Sequence, residues 1–168
     1  HRVMNERMKC FNIHGHLYSY ELTFEFNEME SIGYAIDFKE IKRVACQWID
    51  DYFDHGIILN PLDSVLIEAA NKLNSKLWVM NLNGDDYCNP SAENIVKELF
   101  LGIRILFSNY KQLKLSHIRL YETPNCYTDC TEDSISNNEQ LNFYRNVGED
   151  IIKYRDDKGI VNYDDRKV

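Results

Sequence analysis

The stretch Cys10-Phe11-Asn12-Ile13-His14-Gly15-His16 runs directly into Leu17-Tyr18-Ser19-Tyr20-Glu21-Leu22-Thr23-Phe24-Glu25-Phe26. Its second half alternates aromatic or aliphatic side chains with polar ones, which predicts a β-strand with one buried face. Because side chains in a strand return to the same face at every second residue, His14 and His16 should share the face of the aromatic residues. Adjacent imidazoles on rigid backbone are a common way to present nitrogen ligands to zinc.

Two core histidines, each hydrogen-bonded to a neighbour, are the alternative interpretation of a bare His-x-His pattern. Cys10, four residues before His14, and a third histidine at His1 favour the metal site. The polar segment between His1 and Cys10 must then fold back, so that His1 can reach the other two imidazoles. We therefore expect Zn²⁺ to be bound by these three histidines.

Composition excludes several other classes of function. The chain has 168 residues, which suits one domain, and a hydrophobic fraction of 44%. Its formal net charge of −8, without a basic run, argues against a nucleic-acid or anionic membrane surface. No apolar run is long enough to span a bilayer, and no signal-peptide pattern opens the chain. The five scattered cysteines indicate reduced thiols, so we expect a cytoplasmic protein.

The remaining patterns predict an α+β domain with helices gathered on one face of an antiparallel sheet. The predicted elements, in chain order, are strands at 17–26 and 34–36, a helix opened by a capping box of Asp37 and Glu40, a helix from Pro61, a short strand at 77–80, a helix from Pro90 to Phe107 and a strand at 113–122. We place the domain at residues 1–130. The acidic segment 131–168 is interpreted as a C-terminal extension attached to that core.

Three further groups have more than one interpretation each. Asp54 and His55 follow a helix, where they either cap it or form an oriented proton carrier. Glu122 ends the apolar face of a strand, either at a solvent-exposed edge or directed at a ligand. Cys126 and Cys130 are a second metal site, a source of a fourth zinc ligand, or an unrelated pair in a loop.

Five motifs, in this order, resemble the pyruvoyl-tetrahydropterin synthase family over residues 1 to about 123. They are Cys10-x-x-x-His14-Gly-His16, Gly33-x-x-Ile36-Asp37-Phe38, Asp54-His55, Pro90-Ser91-Ala92-Glu93-Asn94 and Tyr121-Glu122-Thr123. Within that family, the spacing from Cys10 to His14 resembles the branch that makes 6-carboxytetrahydropterin for queuosine and deazapurine synthesis. The resemblance implies a tunnelling fold, in which subunits assemble into a barrel, usually as a hexamer made of two trimers.

The resemblance also implies roles for individual residues. His1, His14 and His16 would hold zinc, and the substrate would be 7,8-dihydroneopterin triphosphate, converted to 6-carboxytetrahydropterin with loss of acetaldehyde and triphosphate. Cys10 would be the thiolate base and Asp54 with His55 its partner dyad. Glu122 would anchor the pterin ring. Thr123 and Ser91, which stands where the family usually has threonine, belong to the substrate-binding motifs.

The chemistry of the residues agrees with that function. Three histidines leave the fourth zinc position open, as a catalytic site requires. Breaking a carbon–carbon bond needs a base and a proton donor, and cysteine beside zinc and imidazole loses its proton readily. Two other classes stay open: a related pterin enzyme, either biopterin-type or aldolase-like, and a non-catalytic protein of this fold, or one with structural zinc, whose metal site is closed by a fourth protein ligand.

Overall fold

The computed structural model describes residues 1–84 and 86–160. Its elements, in chain order, are β1 (Ser19–Phe26), α1 (Phe38–Ile41), a π-helical turn (Lys42–Cys46), α2 (Gln47–Tyr52), β2 (Ile57–Leu59), α3 (Ser64–Lys72), β3 (Leu77–Val79), α4 (Ala92–Leu106), β4 (Leu113–Thr123), β5 (Cys126–Cys130), α5 (Asn137–Phe143), a second π-helical turn (Tyr144–Gly148) and α6 (Glu149–Asp157). The α+β class is confirmed. Within these residues, no helix is long and apolar enough to cross a membrane.

The larger sheet is antiparallel, with strand order β1-β4-β5, and β2 and β3 form a small parallel pair. In β1 the alternation predicted from the sequence is confirmed, because Tyr20, Leu22 and Phe24 turn inward while their neighbours are exposed. Leu22 lies opposite Ile118 in β4, and both pack against the core. The long strand therefore buries the aromatic face on which the sequence placed the histidines.

The strand predicted at residues 34–36 is wrong. The amide of Glu30 donates to the carbonyl of Tyr34 at 2.7 Å, and the amide of Gly33 donates to the carbonyl of Glu30 at 2.8 Å. Gly33 has φ +84, a conformation that glycine adopts without strain. The segment closes on itself as a turn, and β1 pairs instead with the longer β4.

The cap predicted at Asp37 is confirmed, whereas α3 and α4 begin at Ser64 and Ala92, shortly after the predicted Pro61 and Pro90. Asp37 accepts a hydrogen bond from the Lys39 amide at 2.9 Å, and Ser91 caps α4 by accepting from the Asn94 amide at 3.4 Å. Glu40, expected to complete a capping box at Asp37, is instead buried. Its carboxylate accepts from the Arg43 guanidinium and, at 2.5 Å, from the Tyr110 hydroxyl.

Helix α4 is the centre of the core, and two of its buried residues, Glu98 and Gly102, have no apolar side chain. At Gly102 a Cβ atom would lie 2.3 Å from Cη2 of the fully buried Trp48, so only glycine permits this approach. Glu98 is fully buried and accepts hydrogen bonds from the Trp78 indole at 2.5 Å and from the amides of Asn81 and Leu82. Burial raises the pKa of Glu98 to about 7, although these donors oppose the shift.

The C-terminal segment packs onto this same core. Ile135, Phe143 and Ile151 are buried, and Ile160 at the end of the described residues is buried with them. The domain boundary between residues 130 and 131 stays a prediction. The interpretation of the C-terminal segment as an extension attached to the outside of the core needs correction, because residues 131–160 contribute to that core. The acidic composition of this segment did not reveal its packing, because its buried apolar side chains are few and widely spaced. Residues 161–168, and Asp85 in the predicted loop, lie outside the described residues.

Candidate metal centre and adjoining cavity

The N-terminal segment folds back onto the domain, as the metal-site prediction required. The Arg2 guanidinium donates to both carboxylate oxygens of Asp63, at 2.6 and 2.8 Å, and Asp63 is almost fully buried. Arg2 also forms a parallel bridge with Leu59, and its guanidinium lies 5.0 Å above the Phe11 ring. This anchor fixes the residue next to His1 against β2.

The three imidazoles meet in one cluster. Ring centroids are 4.5 Å apart for His1 and His14, 5.1 Å for His1 and His16, and 5.0 Å for His14 and His16. One ring nitrogen from each residue lies within 4.8 Å of the others. The backbones of His1 and His14 also exchange hydrogen bonds, at 2.8 and 3.2 Å. His14 and His16 precede β1 and are not in the strand, but their predicted convergence is observed.

The hydrogen bonds of the rings leave nitrogens free for a metal. Nδ1 of His14 lies 2.7 Å from the Asn12 carbonyl, to which it donates, so Nε2 keeps its lone pair. Nε2 of His16 is buried without a hydrogen-bond partner, although Oε1 of Glu122 lies 3.3 Å away. That carboxylate oxygen is close, but it is not in hydrogen-bonding geometry with the ring nitrogen. A buried nitrogen without a partner is costly, and a bound cation would satisfy it.

The described residues provide three metal ligands and no fourth. Neither Cys10 nor Glu122 joins the group whose ligand atoms converge. Cys126 and Cys130 do not join it either, and they form no second group in the described ranges. They stand at the two ends of β5, about 13 Å apart along an extended strand, one exposed and the other buried. Burial raises the pKa of the Cys130 thiol to about 12.

A cavity of about 370 Å³ opens beside the cluster. His1, His16 and Tyr18 contribute to one part of its lining, and Asp54 and His55 to another. Nδ1 of His55 lies 2.9 Å from Oδ2 of Asp54. The His55 side chain is 92% exposed and that of Asp54 60%, so this pair is open to a ligand entering the cavity. The structure thus brings together two groups that are forty residues apart in the sequence.

The other predicted site residues differ in how close they lie to the histidine cluster and the cavity. Glu122 lies next to His16, and burial together with the charges of Glu122 and Cys10 raises the pKa of Tyr18. Cys10 sits partly buried in the short turn Lys9–Phe11 and is not among the residues that line the cavity. Thr123 is exposed at the end of β4, and Ser91 is the cap of α4. Glu122, Thr123 and Ser91 are not among the residues that line the cavity.

Sequence reasoning missed part of the cavity lining. Asp50 and Phe53, at the end of α2, line the cavity with Asp54. The spacing of four residues from Asp50 to Asp54 was a usable signal, because it puts both near one side of a helix end. The alternation in the sequence places Tyr18 and Tyr20 on the face of the histidines, and both line the cavity.

Comparison with known proteins identifies relatives. The family model for 6-pyruvoyl tetrahydropterin synthase matches residues 1–133. The 6-carboxy-5,6,7,8-tetrahydropterin synthase of Rickettsia felis is 35% identical over 130 residues, covering 77% of this chain and 90% of the relative. Proteins with the same name from Haemophilus influenzae and Helicobacter pylori are 29% and 28% identical, over 74% and 77% of this chain and 85% and 66% of the relatives.

Proposed function

Because this chain belongs to the 6-pyruvoyl tetrahydropterin synthase family, we propose that it converts 7,8-dihydroneopterin triphosphate to 6-carboxy-5,6,7,8-tetrahydropterin, acetaldehyde and triphosphate. The observation that carries this proposal is the cluster of three imidazoles beside a cavity, which His1 and His16 line together with an exposed Asp–His pair. The names of the relatives favour this product over others made in the family. We further propose that the reaction serves queuosine or deazapurine synthesis in the cytoplasm.

The residues present fit a zinc ion held by His1, His14 and His16. Three neutral imidazoles are a ligand set that catalytic zinc uses, and the orphaned Nε2 of His16 supports a cation here. When bound, zinc would act as a Lewis acid toward oxygen atoms of the substrate side chain. Among the described residues no fourth ligand atom joins the three imidazoles, which argues against the alternative of a non-catalytic protein with a closed structural site.

We assign the proton transfers to the chain's own residues. Cys10, as a thiolate, would remove a proton from the substrate side chain, which requires substrate to extend from the cavity toward the turn at Lys9–Phe11. His55, oriented by Asp54 at 2.9 Å, would carry a second proton. Glu122 would accept hydrogen bonds from the amino and ring N–H groups of the pterin. Ser91 and Thr123 stay predicted contacts to the substrate.

A 6-pyruvoyl product is the second candidate, favoured by the description of the matching family model. The two reactions share a substrate and differ in whether the side chain is cleaved. Incubating zinc-loaded protein with 7,8-dihydroneopterin triphosphate and identifying products by mass spectrometry separates them. Acetaldehyde with a 6-carboxy pterin supports the proposal, a pterin retaining its three-carbon side chain supports the second candidate, and unchanged substrate contradicts both.

The role of Cys10 needs its own test. Cys10→Ala should retain zinc and fold but lose roughly a hundredfold or more in turnover, the usual effect of losing a general base. Cys126→Ala, at an exposed cysteine, is the matched control and should retain turnover. Loss of zinc from Cys10→Ala would instead identify the thiol as a fourth ligand and contradict the proposed role.

We also propose assembly into a hexamer of two trimers. Strand β1 is at the edge of its sheet, and an apolar groove borders it. Phe26, Met29 and Phe38 are half-exposed or more along this groove. An uncovered edge next to exposed apolar side chains favours pairing between subunits.

A further inference from the structure

A tyrosine of the C-terminal extension contacts the helix that leads into the Asp–His pair. Tyr154, on α6, lies beyond the family match, which ends at residue 133. Its hydroxyl donates to Oδ2 of Asp51 in α2 at 2.8 Å, and its ring packs edge-on against Tyr52 at 5.5 Å. Lys158 reaches the same Asp51 oxygen at 3.0 Å. The hydrogen bond from Tyr154 is the largest of the causes that lower the pKa of Asp51.

The end of α2 determines where the Asp–His pair stands. Asp54 and His55 are too exposed to be held by packing of their own side chains. His55 has φ +54, a left-handed conformation that non-glycine residues keep only when their surroundings impose it. Lys76 fixes this turn from one direction by donating to the carbonyls of Asp50 and Asp54, both at 2.6 Å. A second restraint is supplied by the extension, through Asp51.

We infer that Tyr154 is a positioning residue, which holds the end of α2 and thereby the Asp54–His55 pair at the cavity. Its effect on turnover rests on the proposed function, whereas its effect on the backbone does not. Gln47 also binds Asp51, at 2.9 Å, but from within the same helical segment, so it cannot tie α2 to another part of the molecule. Tyr154 and Lys158 make that connection.

Hydrogen exchange measured on the zinc-loaded protein tests the restraint without substrate. Tyr154→Phe removes one oxygen atom and keeps the ring against Tyr52. The amides of Asp54 and Gly56, bonded to the carbonyls of Ile49 and Phe53, should exchange about tenfold faster, while the segment containing His14 and His16 is unchanged. Tyr144→Phe, at a half-exposed tyrosine of the same extension, should change neither segment. Asp51→Asn, which keeps an acceptor for the tyrosine, should largely preserve wild-type exchange.

Turnover tests whether the restraint acts through the pair. Tyr154→Phe should lower kcat about tenfold with little change in KM, because a small misplacement of a proton carrier slows the chemical step. In a His55→Ala background the same substitution should have no further effect. Unchanged exchange at residues 54–56, faster exchange over the whole chain, or an equal loss of kcat in both backgrounds would overturn the inference. Faster local exchange in a protein that leaves the substrate unchanged would support the restraint and refute the proposed function.

Discussion

Replacing Gly102 by alanine tests how tightly helix α4 packs against the indole of Trp48. The new Cβ would lie 2.3 Å from Cη2 and 2.9 Å from Cζ2, far inside the 3.5–4.0 Å of favourable carbon contacts. Trp48 is fully buried, with Trp78 and Phe53 at 5.8 and 5.3 Å between ring centroids, so it has no free direction in which to move. Overpacking of this kind costs about 3 kcal/mol. The better helix propensity of alanine returns about 1 kcal/mol, leaving a net loss of about 2 kcal/mol.

Urea unfolding followed by tryptophan fluorescence measures this loss. With an m value of about 2 kcal/mol/M, the midpoint should fall by about 1 M. Gly148→Ala is the control, because there the nearest atom is 3.3 Å away on the half-exposed Tyr144 side chain, and we expect a gain of about 0.5–1 kcal/mol. Trp48→Phe should reduce the cost of alanine at 102. A Gly102→Ala protein as stable as the wild type would refute the packing argument.

Four further outcomes are expected. His14→Ala should lose tight zinc binding, and stoichiometric zinc in that variant by metal analysis would contradict the ligand assignment. Glu122→Ala should raise KM for the pterin with little change in kcat, since the proposed contact would be made in the ground state; an unchanged KM would count against it. Burial raises the pKa of Glu98 from 4.5 to about 7, so the native state binds more protons than the unfolded state between these pH values. The stability of the wild type should therefore fall as pH rises through this window, by on the order of 3 kcal/mol. Urea titrations of Glu98→Gln should lack that pH dependence. Light scattering at micromolar concentration should give a hexamer, and a monomer would contradict the proposed assembly.

The parts of the fold that local patterns determine were predictable. Alternation in β1 identified its buried face, and the capping side chain of Asp37 identified the start of α1. His14 and His16 converge as predicted, although they precede β1 and do not lie in the strand on which the prediction was based. Each of these depends on residues within about one turn or one strand of each other.

The parts that depend on tertiary packing were not predictable. Residues 34–36 have the composition of a strand, but only the three-dimensional arrangement decides that β4 takes the place beside β1. The shared cavity of His16 and His55 likewise depends on how α2 packs across the domain. Phe143 and Ile151 are isolated buried residues in an acidic segment, and no hydrophobic periodicity predicts their burial.

The pairing of β1 with β4 has a consequence for synthesis on the ribosome. Glu21 and Tyr121, which touch across these strands, are 100 residues apart in sequence. At a translation rate of about 5–20 residues per second, the first strand waits about 5–20 s for its partner to be made. During that interval the backbone N–H and C=O groups of β1 lack the strand with which they pair, beside the apolar side chains of Tyr20, Leu22 and Phe24. The nascent chain is therefore most exposed to aggregation, and most in need of a chaperone, before residues 113–123 have emerged.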